Sequence, residues 1–332
     1  MSDYLFDKSG DDAEVSGLES LLGAYAHRAP LREPPRPPSP APPPRPRPRR
    51  RALVAAALAF AAVAALALAL LRPWAGRGGG SPGCAEGDPG FAFAVQSGAA
   101  RCGGGVASKG SLPVGAWLET AGGSITDVRV ADLGALTVFG DSRLRLAGSG
   151  PAEHRFELAR GHVSARVLAP PRLFVIDTPV AAAVDLGCAY DLEVDADGRA
   201  HLQVTSGAVS LEGRGLRAYV PMGAEVIATP GRGPGTPVSL DASAALKRAA
   251  ARFDAGDASA GAALVAAAGP NDTVTLWNLL WRTAGADRLA VFRKLNELTI
   301  RPPEAREEDV LAGQPQALEA WRQSLDTTWM VH

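Results

Sequence analysis

The 332-residue chain has almost no net charge: 34 basic and 35 acidic side chains leave a formal −1. That balance excludes a protein that holds nucleic acid directly through a broadly positive surface. Histidine is scarce. His27, His154, His162, His201 and His332 are the whole set, and none stands at metal-ligand spacing from another His or a Cys. The sequence H-E-x-x-H and the full kinase glycine loop G-x-G-x-x-G-x-V are missing, and with them common metalloprotease and kinase signatures. A phosphate loop fails as well. Gly105 and Gly110 have the required gap, but Ser111 follows where a lysine is needed. The acidic residues are scattered through turns and strand faces, where solvation accounts for them. These absences predict no enzyme, no catalytic residue, no metal and no cofactor.

What is present is strongly segregated. Eleven of the 27 prolines lie between Pro30 and Pro48, and an uninterrupted apolar run, Ala52–Leu71, follows. Twenty residues at about 1.5 Å each reach about 30 Å, the thickness of a bilayer's hydrocarbon core. The run carries no charge, Pro or Gly. The tail before it is too long for a signal-peptide n-region, so it reads as an uncleaved signal anchor. Arg45, Arg47, Arg49, Arg50 and Arg51 crowd its N-terminal side, against Arg72 and Arg77 beyond the other end. The positive-inside bias then puts residues 1–51 in the cytoplasm and 72–332 outside it, in an inner-membrane, single-pass topology with a periplasmic bulk. Trp74 fits an interfacial anchor. By side, the tail carries a formal +2 and the exterior part −3.

Cysteine usage agrees with that topology. Cys84, Cys102 and Cys188 all fall on the oxidising side, and none is in the tail. Cys84 and Cys102 lie in Gly-rich stretches that can bend to meet, so a disulfide between them is possible. Cys188 is then the odd one, either a small buried residue or a free thiol.

Within residues 1–27, Asp11 or Asp12 is placed to cap a helix, with Glu14 in reach of a capping-box contact. Val15, Leu18, Leu22 and Tyr25 recur at helical spacing, with Glu19 beside them. A helix of about fourteen residues is marginal alone in water, so the stripe suggests a partner-docking element. A frayed tail without a role is the plainer alternative. Residues 28–51 form an extended Pro/Arg-rich linker.

Residues 72–113 read as a Gly-rich exterior linker with one short strand around Phe91, Phe93 and Val95. From 114 to 230 the period becomes that of strands. Arg143-Leu144-Arg145-Leu146, Arg155-Phe156-Glu157-Leu158 and Leu202-Gln203-Val204 alternate polar and apolar residues. Asp197-Gly198 is a hairpin signal. About a dozen short strands predict an all-β domain. After Gly231–Pro237 the period turns helical, and residues 240–332 read as a helical module. It contains Asp241–Phe253, Ala258–Ala267, Thr273–Arg282 capped by Asn271-Asp272, Ala286–Leu298 and Gln316–Leu325. Its tryptophans fit a core better than a ligand platform. The expected fold class is mainly β, with a C-terminal α-helical module and one transmembrane helix.

One stretch is more specific than its composition. Asp185-Leu186-Gly187-Cys188-Ala189-Tyr190-Asp191-Leu192-Glu193-Val194 leads to Val204-Thr205-Ser206-Gly207-Ala208-Val209, and Val220-Pro221-Met222-Gly223-Ala224-Glu225-Val226 closes it. Upstream stand Leu158-Ala159-Arg160-Gly161-His162-Val163 and Phe174-Val175-Ile176-Asp177-Thr178-Pro179. The whole, over about residues 110–230, resembles the FecR family, whose hallmark is a Gly-Thr-x-Phe/Tyr-x-Val turn and strand followed by a V-x-x-G-x-V hairpin. Gly187, Cys188, Tyr190, Gly207 and Gly223 carry the resemblance, with Cys188 standing where the family has Thr. Gly207 and Gly223 fall at strand reversals, where positive φ is cheapest for glycine, and Gly187 would allow close packing before Tyr190.

The resemblance implies a single-span regulator. Its cytoplasmic N-terminal segment would bind a sigma factor, and its exterior β-domain would receive a signal from an envelope or outer-membrane protein. Two functional readings follow. One is a membrane signal transducer that regulates a sigma factor or similar cytoplasmic transcription partner, in the manner of an anti-sigma factor. The alternative is a membrane-anchored exterior binding or scaffold module for cell-envelope glycan or protein.

Overall fold

The computed structural model describes residues 83–329 apart from Ala258. The expected docking helix, the Pro/Arg-rich linker and the apolar run Ala52–Leu71 lie outside these residues. Among the described residues no helix is long and apolar enough to cross a membrane.

Among the described residues, eighteen strands come first. They are β1 Phe91–Ser97, β2 Ala100–Cys102, β3 Gly105–Ala107, β4 Lys109–Leu112, β5 Trp117–Thr120, β6 Ile125–Val130, β7 Gly134–Phe139, β8 Arg143–Ser149 and β9 His154–Val167. Then follow β10 Phe174–Asp177, β11 Ala182–Asp185, β12 Cys188–Val194, β13 Ala200–Ser206, β14 Ala208–Gly213, β15 Leu216–Pro221, β16 Ala224–Thr229, β17 Gly233–Pro234 and β18 Val238–Ser239. They pair into two sheets that share β9. One runs β4-β1-β6-β7-β9-β12-β13-β16, with β17 and β18 both on β16. The other runs β3-β2-β5-β8-β9-β10-β11-β14-β15. Every pairing is antiparallel except β9 with β10.

The alternation read from the sequence becomes the two faces of these strands. In β8, Leu144 and Leu146 point inward and the arginines between them outward. They meet Phe156, Leu158, Phe174 and Ile176 of the same sheet and Val163, Tyr190, Leu192 and Leu202 of the other in one continuous core. Each such side chain contributes about 1.5–3 kcal/mol on burial.

The shared strand needs a device to change sheets. At Gly161 φ is +92°, and a Cβ there would lie 2.2 Å from Ser142 Oγ. That hydroxyl accepts from His162 N–H at 2.9 Å and donates to His162 C=O at 3.2 Å. Ser142 thus supplies both backbone bonds that the ladder loses at the corner.

The described part of the expected linker 72–113, residues 83–113, differs from expectation. Instead of a linker with one strand, Phe91–Leu112 contributes four strands to the two sheets. The glycines that suggested a loose segment mark corners: Gly98, at φ +78°, carries the chain from β1 in one sheet to β2 in the other. Cys84 and Cys102 are joined by a disulfide that ties the segment before β1 to the end of β2.

The helical module holds α1 Ala244–Asp254, α2 Ala260–Ala267, a 3₁₀ turn Pro270–Asp272, α3 Thr273–Arg282, α4 Gly285–Leu298, α5 Glu307–Leu311 and α6 Pro315–Trp329. Ser243 Oγ caps α1 by accepting from Leu246 N–H at 3.1 Å. Asp272 stands at the start of α3 without a side-chain bond to its first turn; its Oδ2 accepts from Gly269 N–H at 2.9 Å instead. Trp277, Trp321 and Trp329 are buried, and each indole N–H is paired: with Leu318 C=O, Thr299 Oγ1 and Thr273 Oγ1 respectively. They are core residues, as their helical spacing suggested.

The module is fastened to the β-domain along β15. That strand pairs with β14 on one side. On the other, the buried Asn278 amide of α3 accepts from Tyr219 N–H at 2.9 Å and donates to Tyr219 C=O at 3.0 Å. One side chain here takes the place of a neighbouring strand and removes an exposed edge. The fold is a mainly β domain with a C-terminal helical module.

Candidate functional site

The signature residues converge at the junction of β11, β12, β14 and α6. Gly187, Gly207 and Gly223 all have positive φ: +95°, +67° and +78°. Close packing, expected at Gly187, belongs instead to Gly207. A Cβ on Gly207 would sit 2.1 Å from Gly187 C=O, whereas one on Gly187 would meet nothing nearer than 3.8 Å. The two turns lie against each other, so the second glycine makes room for the carbonyl of the first. Met222 N–H donates to Gly207 C=O at 2.8 Å, and Gly223 N–H to Val204 C=O at 2.9 Å, which brings the third turn to the same place.

Below the turns sits a buried polar group. Asp185 is fully buried; its carboxylate accepts from Gly187 N–H and, at 2.8 Å, from Cys188 Sγ. At this position, where the family has threonine, the thiol of Cys188 donates to the carboxylate three residues before it in the same turn. Burial pushes the Asp185 carboxyl above its ordinary range, with the Cys188 and Gly187 bonds offsetting part of the rise. Burial, and then the neighbouring carboxylate, pushes the Cys188 thiol up as well. It therefore stays a thiol and is a poor nucleophile. Tyr190, on the same face of β12, is fully buried, and its hydroxyl finds no hydrogen-bond partner among the described residues. Burial raises it well above an ordinary phenol.

Above the turns opens a cleft of about 470 Å³. Gly187 and Gly207 form one wall, with Arg172, Arg217 and Tyr219; Glu319, Arg322 and Asp326 of α6 form the other. Arg322 lies 4.6 Å over the Tyr219 ring and pairs with both Glu319 and Asp326. Tyr219 hydroxyl donates to Asp326 Oδ1 at 2.9 Å. The Arg322 guanidinium holds Glu319 below the usual carboxylate range. Asp326 moves the other way, because burial outweighs the same guanidinium. Arg172 adopts φ +70° and pairs its two terminal nitrogens with Glu212 at 3.0 and 3.3 Å. The cleft offers cationic forks and carboxylates at the mouth of the signature turns.

Arg172, Arg217, Arg322 and Asp326 were not singled out in the sequence. Tyr219 and Asp326 stand 107 positions apart, so no local spacing marks them. The sequence-predicted docking residues Val15, Leu18, Glu19, Leu22 and Tyr25 lie outside the described residues. Among the described residues no cluster of His, Cys, Asp and Glu is placed to hold a metal ion.

Comparison with known proteins bears on the β-domain. No curated protein matches the chain. Two crystal structures of a candidate anti-sigma factor from Parabacteroides distasonis, at 1.65 and 2.50 Å resolution, are similar at 16% identity with a TM-score of 0.32. Each alignment covers 35% of this chain and 56% of that one. The FecR protein family matches residues 117–210, from β5 into β14, and so takes in the Gly187-Cys188-x-Tyr190 turn and Gly207. Residues 117–210 are a FecR domain.

Proposed function

We propose that this chain is a single-pass inner-membrane signal transducer that regulates a sigma factor. Residues 1–27 dock the sigma factor in the cytoplasm, Ala52–Leu71 crosses the membrane, and the FecR domain with its helical module receives the signal outside. The observation that carries this reading is the FecR domain at residues 117–210. It is joined in one chain to a charge-free run of bilayer length with five arginines on its N-terminal flank. The Cys84–Cys102 disulfide supports an oxidising location for the β-domain. Regulation is then a binding equilibrium: an exterior ligand or partner that prefers one state of the exterior part shifts how well the tail holds its sigma factor.

The test is affinity capture from native membranes with the full chain and with a chain lacking residues 1–27. Recovery of a sigma factor with the full chain, lost on deletion, supports the reading. Capture of envelope proteins alone by both chains overturns it in favour of an anchored envelope-binding module.

A further inference from the structure

A second cavity, of about 610 Å³, lies between β16–β17 and helix α1, lined mostly by residues beyond the FecR-matched stretch, with Arg199 and His201 from within it. That volume suits a small ligand. One wall is apolar: Val238, Ala250 and Ala251, with Ile227 at the mouth, 53% exposed. Arg199, Arg232, Lys247 and Arg282 line it with two carboxylates, Glu225 and Asp254, and these cations differ in how fully they are paired.

The carboxylates are already engaged. Glu225 takes Lys247 Nζ at 2.8 Å and His201 Nε2 at 2.9 Å. Asp254 accepts from Thr236 N–H and Thr236 Oγ1, both at 2.8 Å, and pairs with Arg282 at 3.1 Å. Arg199 is held by Asp195 and Asp197. Arg232 differs from the other three cations. Its guanidinium makes one bond, from Nη1 to Asp254 C=O at 3.1 Å, and has no carboxylate partner among the described residues. A guanidinium anchored by a single N–H presents its remaining donors as a fork suited to a carboxylate or another planar anion.

We infer that this cavity binds a small amphipathic anion, its charged end on Arg232 and its apolar body against Ile227 and Ala251. The site combines residues of the β-sheet and of the helical module, so an occupant would bridge the two. The inference does not depend on the sigma-factor reading, because binding is measured directly.

The experiment uses the full chain in lipid nanodiscs and isothermal titration with hexanoate, with hexanamide as the uncharged isostere and empty nanodiscs as the blank. Saturable hexanoate binding is expected, with hexanamide weaker by about tenfold, the usual consequence of losing a charge-assisted hydrogen bond. Arg232→Gln should weaken hexanoate by a similar factor and leave hexanamide unchanged. Ile227→Asp, which puts a like charge at the mouth, should abolish binding. Both positions are exposed, and circular dichroism verifies that each variant is folded. Absence of saturable heat with hexanoate, equal affinity for the two probes, or hexanoate binding that survives Arg232→Gln would each overturn the assignment.

Discussion

Asn278 offers the sharpest test of how the two parts of the exterior region hold together. Its amide is 1% exposed and carries both hydrogen bonds on the open side of β15 at Tyr219. Asn278→Ala leaves that N–H and C=O buried and unpaired. Each orphaned group costs about 1–3 kcal/mol, so the local loss should be about 2–4 kcal/mol after some relaxation. Asn278→Asp should be at least as severe. A carboxylate still accepts from Tyr219 N–H, but it faces Tyr219 C=O without a donor and adds a buried charge. Native-state hydrogen exchange of the full chain reads this locally, which suits a protein of more than one part. Exchange in β15 and α3 should accelerate by about one and a half to three decades, while β6–β8, far from the contact, keep their protection. If the β15 amides stay as protected in Asn278→Ala as in the parent, or if the Asp variant is milder than the Ala variant, the edge-covering role is wrong.

Gly207→Ala should destabilise far more than Gly187→Ala in thermal melts. Both have positive φ, worth about 1 kcal/mol, but only Gly207 has a carbonyl 2.1 Å from the added methyl; equal shifts would refute the close-approach assignment. Cys102→Ser opens the Cys84–Cys102 loop of 18 residues' separation, worth roughly 3 kcal/mol in the loop-entropy model. Limited proteolysis should then cut first between residues 83 and 112, and an unchanged cleavage order would contradict this. Asp185 has a folded pKa raised chiefly by burial, so the folded state holds its proton more tightly than the unfolded chain does. Stability therefore falls as pH rises from the unfolded value, about 3.9, through the raised folded value, and is level above it. Denaturation midpoints should show that decline in the parent and not in Asp185→Asn; a constant difference between the two across that window would count against the assignment.

Most of the β-domain was legible because half-buried strands write their faces into the sequence. Arg143-Leu144-Arg145-Leu146 and Leu202-Gln203-Val204 alternate, and the structure buries the apolar member each time. The helical module was legible by its change of period, and its boundaries moved by only a few residues. Phe91–Leu112 was misread because glycine signals two different things: a flexible linker, or a corner at which a strand leaves one sheet for the other. Gly98 is the second kind, and only the sheet pairing distinguishes them. At the signature turns, glycine was expected at Gly187, Gly207 and Gly223, yet which of them meets a neighbouring backbone depended on long-range contact. Asn278 looked like an ordinary helix residue, since its partner Tyr219 is 59 positions away. The α6 wall of the cleft and the cavity beside Arg232 are likewise products of folding, assembled from segments that share no motif.

Sigma-factor regulation makes one demand that neither the fold nor the cavities can meet alone: residues 1–27 must control transcription. The direct measurement is a transcriptome comparison of host cells producing the full chain, the chain lacking residues 1–27, or neither. A discrete set of genes sharing one promoter class should change with the full chain and return to baseline on deletion. An identical transcriptome with and without residues 1–27 would contradict the proposed function.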